Sequence, residues 1–236
     1  MTVQIEDLSV FSEDKLIGYR LINSKFPPIY LFDDVASPDE FEDLYAIQSL
    51  TNPRLQNEVG NLSLLPLNEI PFGIPGCHYA AASFTHVNPD GSRFSDGSYG
   101  IMYIGDTSET ALAEVKHHQN IYWSRVPKLR YERFVFRELA CTFGVKNGLD
   151  ATTIPIDNAI YSPDDYSASR LLGAKIKDDR KYSALRYCSV RNSRSVCYAL
   201  FTPKELTSVI QAKHYEMIWD RSMISAVNII SHVANG

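Results

Sequence analysis

The chain has 236 residues, 44% hydrophobic and 22% charged, and its 23 Lys and Arg against 28 Asp and Glu give a formal net charge of −5. That length and apolar content build one domain, or one domain with an N-terminal elaboration, around a sizeable core. The acidic balance removes the electrostatic basis for coating a nucleic-acid backbone, and no apolar run is long enough to span a bilayer.

In chain order, Leu16–Ile22 reads as a strand, followed by an irregular passage at Pro27-Pro28. Ser37-Pro38-Asp39-Glu40 opens a helix over 36–50, with Pro in the first turn and acids beside it. Residues 51–80 hold several Asn, Pro and Gly and read mostly as loop. Extended segments are expected at Ala80–Thr85, Gly100–Gly105 and Tyr131–Leu139, surrounding a helix over 107–119. Ser162-Pro163-Asp164-Asp165 opens a second helix over 163–178, and strands follow over 184–189, 195–202 and 206–219. Strands outnumber helices and lack regular helical crossovers, so the fold class is α+β.

The N-terminus, MTVQIEDLSVF, has no basic segment followed by an apolar run and a cleavage site, so no signal peptide is expected. Cys77, Cys141, Cys188 and Cys197 form no C-x-x-C pair and no zinc spacing, and are expected to be reduced thiols in the cytoplasm.

Residues 91–118, GSRFSDGSYGIMYIGDTSETALAEVKHH, carry the most information. A loop punctuated by Gly91, Gly97 and Gly100 leads into a short apolar strand at Ile101–Ile104. Gly105 ends that strand, and Asp106 with Glu109 three residues later makes a capping-box pattern for the next helix. Residues at the strand end and on the first helical turns then face a common cleft. Ala111, Leu112 and Val115 form the helix's apolar stripe, with Glu114 at its margin, one turn from Thr110 and His118.

By position alone Glu114 is a solvated helix glutamate, Arg93 a loop anchor and Tyr103 a strand core residue. Adjacent His117 and His118 point to different faces and make no H-E-x-x-H, so no metal site is expected. G-x-G-x-x-G, the Walker pattern and G-x-S-x-G are all missing, which disfavours a Rossmann dehydrogenase, a P-loop ATPase and an α/β-hydrolase.

Several fragments, in order, resemble one family. Tyr19-Arg20-Leu21-Ile22, Ser92-Arg93-Phe94, Tyr99-Gly100-Ile101-Met102-Tyr103, Glu109-Thr110-Ala111, Ala113-Glu114 and Tyr187-Cys188-Ser189-Val190-Arg191 look like the RES domain, named for its arginine, glutamate and serine. The similarity runs from about Ile17 to Asp220 and looks like the longer branch of that family, with additional sequence at roughly 24–90. Cys188 stands where the family often has proline.

The resemblance implies a single domain with an ADP-ribosyltransferase-like core of two small sheets and flanking helices. It divides the chain into an N-terminal elaboration over 1–75, packed on a catalytic core over 76–236 to which the strand near 16–22 contributes. It places Glu114, Arg93, Tyr103 and Ser189 in the catalytic site and Arg20 beside them; beyond the resemblance, Tyr19, Arg191 and His86 are expected as supporting substrate-binding residues. It further implies NAD⁺ as a substrate rather than a cofactor, cleavage of the nicotinamide–ribose bond with water or phosphate as acceptor, and no metal. A cognate Xre-like antitoxin is the implied partner in a hetero-oligomer, with neither nucleic acid nor membrane bound directly.

That chemistry suits the residues. Nicotinamide leaves as a neutral molecule and needs no strong general acid, so one carboxylate that stabilises the developing oxocarbenium charge is enough. Planar guanidinium groups pair with pyrophosphate oxygens. Rival readings are a protein ADP-ribosyltransferase, a non-catalytic nucleotide-binding module, and an inverting glycosidase using Glu114 with Asp96 or Asp106. Against the first, transferases often carry Glu or Gln two residues before the catalytic Glu, and Leu112 stands there.

Overall fold

A computed structural model describes residues 3–25, 32, 35, 37–50 and 59–230. The Pro27-Pro28 passage and residues 51–58 of the expected loop therefore lie outside the described residues. Among those described, the strands are β1 (Ser9–Asn23), β2 (Met102–Gly105), β3 (Tyr131–Asp150), β4 (Ala184–Cys188), β5 (Val196–Leu200), β6 (Leu206–Asp220) and β7 (Met223–Ile230). The α-helices are α1 (Pro38–Ser49), α2 (Cys77–Thr85), α3 (Ser108–Ser124) and α4 (Ser167–Asp179).

The long strand β3 organises the molecule. Its N-terminal part pairs antiparallel with β6, which pairs with β7, while its last residues Gly148–Asp150 pair in parallel with β4. Along its other edge β3 carries β1, from Phe136↔Asn23 to Asp150↔Ser9. β4 continues through β5 to β2, and β2 returns to β1 at Tyr19↔Gly105. The two small sheets expected from the resemblance are thus joined through β1 and β3, and the pairing β1–β3–β4–β5–β2–β1 closes on itself.

Closure demands close backbone approach where β1 crosses β2. A Cβ at Gly18 would lie 2.7 Å from the Gly105 carbonyl oxygen, and one at Gly105 would lie 2.9 Å from Ala111 N. Only glycine fits these two positions, which lets β1, β2 and the start of α3 meet.

Three apolar clusters fill the layers. α2 and α1 cover one, with Ala80, Ala81, Phe84 and Phe41 against Leu139, Cys141, Phe143 and Leu200. α4 covers the second, with Leu172 and Ile176 against Leu149, Leu185, Ala199 and Phe94. α3 lies over the third, with Ala111 against Leu21, Phe134, Phe136 and Tyr215.

Several expected elements need correction. Ala80–Thr85 is helical rather than extended: Cys77, Ala80, Ala81 and Phe84 are buried at spacings i, i+3, i+4 and i+7, and three consecutive alanines favour helix. α4 starts four residues after the expected position 163, because Ser162 Oγ accepts from Asp165 N at 3.1 Å and Asp165 in turn accepts from Ser167 N at 2.9 Å, which makes turns first. α3 is capped by Thr107, whose Oγ1 accepts from Thr110 N at 3.1 Å, and not by Asp106.

Candidate active site

The strand–turn–helix unit expected around Gly105 forms, and the turn after β4 comes to rest against it. Ser189 Oγ donates to Glu114 Oε1 at 2.7 Å. The same oxygen accepts from Arg191 N at 3.2 Å and from Asn192 N at 3.0 Å. With both lone pairs engaged by backbone N–H groups, the hydroxyl proton has one direction left, toward the carboxylate. Ser189 is 5% exposed. This is a positioned donor to Glu114, not an activated nucleophile.

A second set of bonds holds the two segments together. Asp106 Oδ1 accepts from Thr110 Oγ1 at 2.6 Å and Oδ2 accepts from Val196 N at 2.9 Å, so this carboxylate ties the first turn of α3 to β5. Asn192 Nδ2 donates to Thr110 Oγ1 at 2.9 Å and to Ser195 Oγ at 3.0 Å. Asn192 was not singled out from the sequence; its only signal there was its place three residues after Ser189. Both oxygens of Asp106 are engaged in this way, and Oδ1 of the exposed Asp96 accepts from Ser98 N at 2.9 Å. Both candidate partners of the paired-carboxylate glycosidase reading thus have their hydrogen bonds within structural turns and ties.

Arg93 is 8% exposed, and its Nη1 donates to the carbonyls of Ile160 at 3.2 Å and Ser162 at 3.0 Å. Its guanidinium stands 4.5 Å above the centre of the Tyr166 ring. The loop that carries it is clamped by Tyr103, whose hydroxyl accepts from Phe94 N at 3.0 Å and lies 2.8 Å from Ser92 Oγ. Burial pushes that phenol up to about 12, against the opposing pull of those hydrogen bonds and of the Arg93 and Arg20 charges. Tyr103 is therefore a neutral phenol with its hydroxyl committed to the Arg93 loop. Arg20 reaches across from β1 and donates to the Tyr103 carbonyl at 3.1 Å.

Arg191 Nη2 donates to the carbonyl of Pro163, which brings the turn after β4 against the segment that holds Arg93. The half-buried His117 and the neighbouring His118 both have their imidazolium forms disfavoured, first by burial and then by the Arg191 charge, with Arg93 adding to it at His118. The Arg191 charge is thus felt by both histidines on α3, the helix that carries Glu114. Cys197 Sγ lies 4.0 Å from Glu114 Oε1, and burial together with that carboxylate pushes the thiol up to about 12.

The remaining expected residues divide. Tyr19 packs into the cluster under α3 and pairs with Gly105 in the ladder, one residue from Arg20. His86 lies at the C-terminal end of α2, exposed, with Nδ1 3.2 Å from Thr85 Oγ1. Cys188 uses the N–H that a proline would lack to bond Tyr161 Oη at 3.3 Å, while its thiol points at the Thr152 carbonyl at 3.7 Å. All four cysteines are free thiols, and three of them are buried.

Comparison with known proteins bears on this geometry. The family model of the RES domain matches residues 70–220, a span that holds Arg93, Tyr103, Glu114, Ser189 and Arg191. The chain belongs to the RES-domain family. Uncharacterized protein y4oC of Sinorhizobium fredii is 29% identical over 222 residues, spanning 92% of this chain and 89% of that protein. That match extends into β1, which Tyr19 and Arg20 occupy and which the family model leaves out. A chain in the crystal structure of the M. tuberculosis MbcT–MbcA toxin–antitoxin complex aligns over 88% of this chain and 89% of its own length, with 11% identity and a TM-score of 0.47.

Proposed function

We propose that this protein is a toxin that degrades NAD⁺ by cleaving the bond between nicotinamide and ribose, with water or phosphate as acceptor. The observation that carries the reading is the Ser189–Glu114 hydrogen bond, with the serine's own acceptor positions filled by Arg191 N and Asn192 N. A carboxylate held in one orientation can stabilise the positive charge that grows on the ribose ring as neutral nicotinamide departs, and fixed groups of this kind are worth about 3–4 kcal/mol. Arg93 and Arg20 supply the countercharge for the pyrophosphate, with Arg191 at the margin. Arg93 keeps donors beyond the Nη1 that its two carbonyls occupy.

Leu112 weighs against the protein ADP-ribosyltransferase reading. It stands two residues before Glu114 and packs into the apolar cluster under α3, where it cannot activate an acceptor side chain. The cognate partner, an Xre-like antitoxin that covers the site and represses the pair's promoter, rests on the family alone.

The test is to incubate purified protein, freed of any co-purifying partner, with NAD⁺, with and without phosphate, and to identify products by mass spectrometry. Nicotinamide with ADP-ribose, or with ADP-ribose-1-phosphate, is the expected result and names the acceptor. Intact NAD⁺ in both conditions, from folded protein that binds it, would leave the binding-module reading in its place.

A further inference from the structure

A second concavity lies at the other end of α3. A cavity of about 630 Å³ opens between the segment from Trp123 to Arg130, which ends α3 and leads into β3, and the β6–β7 turn at Trp219 and Arg221. Trp123 is nine residues beyond Glu114 on the same helix, about 14 Å along its axis, and none of the site residues described above lines this space. The volume falls in the range of small-molecule sites.

The lining has one chemical character. Trp123, Leu129 and the buried Trp219 form an apolar wall, and the exposed Lys128, Arg130 and Arg221 bring three cations to the mouth. Among the described residues no Asp or Glu lines the space; the neighbouring Asp220 meets Arg221 Nε only at 3.8 Å with both side chains more than half exposed. Trp219 is 1% exposed, yet its indole N–H has no acceptor among the described residues. A buried donor left in that state normally has a partner. Two of the cations, Lys128 at φ 65° and Arg221 at φ 59°, also sit in the left-handed region that side chains avoid, and Arg221 N is held there by the Arg130 carbonyl at 2.7 Å. Strain of this kind persists where the surroundings over-determine it. In a chain of net charge −5, a cavity whose mouth carries three cations and, among the described residues, no carboxylate selects for negative charge.

We propose that this cavity binds a small multivalent anion bearing phosphate or carboxylate groups, held by Lys128, Arg130 and Arg221 over the indole wall. The reading is independent of the NAD⁺ site.

The chain contains two tryptophans, and both line this cavity, so selectively excited tryptophan emission reports on this site. Tryptophan fluorescence should be titrated with sodium pyrophosphate and, separately, with sodium citrate, against potassium chloride at matched ionic strength, with calorimetry in parallel. Saturable binding of one anion, absent with chloride, is expected, and the better anion names the chemistry. The Lys128→Asn/Arg221→Asn double variant removes two charges while asparagine tolerates the left-handed backbone. It should weaken binding at least about tenfold, with circular dichroism unchanged. Absence of saturable heat and emission change with both anions, or undiminished binding by the folded double variant, would overturn the proposal.

Discussion

The side-chain amide of Asn192 donates to Thr110 Oγ1 at 2.9 Å, joining the turn after β4 to the first turn of α3. Thr110 Oγ1 is at the same time a donor to Asp106 Oδ1 at 2.6 Å, so this hydroxyl needs a donor, not another acceptor, from the turn. The bond fixes the distance between the segment that carries Ser189 and the helix that carries Glu114. Asn192→Ala should lower NAD⁺ turnover roughly tenfold with a smaller change in KM, as expected for a loosened catalytic geometry. Asn192→Asp should be worse than alanine, because it offers a carboxylate where a donor is required and adds charge near Asp106. Parental turnover by both variants in steady-state assays would remove the network from catalysis.

Glu114→Gln keeps the size of the side chain and its acceptor for Ser189 but loses the charge. Turnover should fall at least about a hundredfold while NAD⁺ still binds. Ser189→Ala removes the donor to Glu114 and strips the acceptor from Arg191 N and Asn192 N. It should therefore reduce both turnover and stability, the latter by about 1–3 kcal/mol. Single-turnover kinetics with a denaturation curve for each variant separates the two effects. A serine variant of normal activity would contradict the role given to its proton.

Arg93→Lys tests the forked donor. Lysine keeps the charge but loses the planar stack on Tyr166 and one of the two carbonyl bonds to the segment at 160–162. NAD⁺ affinity should drop and the protein should lose about 1–2 kcal/mol of stability. Calorimetric titration with NAD⁺, using the Glu114→Gln background to prevent turnover, gives the affinity directly. Unchanged affinity would assign Arg93 to anchoring its loop alone.

Alkaline stability follows from three buried groups. Burial raises the Cys141 and Cys197 thiols from an ordinary 9.0 to about 12, and the Tyr103 phenol from 10.0 to about 12. The folded chain keeps these protons where the unfolded chain releases them, so their contribution is complete below pH 9 and is lost as the pH climbs toward 12. Urea midpoints measured from pH 8 to 11 should fall progressively. Cys197→Ala should flatten the slope between pH 9 and 11, and an unaltered slope would mean that this thiol does not titrate with unfolding.

Local pattern made the loop, strand and helix over 91–118 legible, but not the roles of the residues on them. By position alone Arg93 reads as a loop anchor, Tyr103 as a strand core residue and Glu114 as a solvated helix glutamate, and the family pattern singles them out together with Ser189. The Ser189–Glu114 contact was beyond local reading, since it depends on β5 pairing with β2. The roles were less legible than the positions. Tyr103 looked free to stack or hydrogen-bond, but its hydroxyl holds the Arg93 loop. Asp106 looked like a helix cap, yet both its oxygens reach other partners. Ala80–Thr85 went astray because a short apolar run fits strand and helix alike, and the deciding residue, Cys77, lay just outside the window. β7 was missed altogether: it is an edge strand with Met223, Ile229 and Ile230 exposed, so it lacks the alternation that marks a half-buried strand.

The circular pairing of β1, β2, β5, β4 and β3 has a consequence for synthesis. β1 emerges first and β5 late, yet the ring is incomplete until β5 lies between β2 and β4. While β5 is still inside the ribosome, Asp106 lacks its anchor on Val196 and Glu114 has no serine beside it. A polypeptide abandoned partway through translation therefore holds Arg20, Arg93 and Glu114 but not the arrangement that joins them. Incomplete products thus lack the Ser189–Glu114 pair by topology, whatever their length of exposed chain.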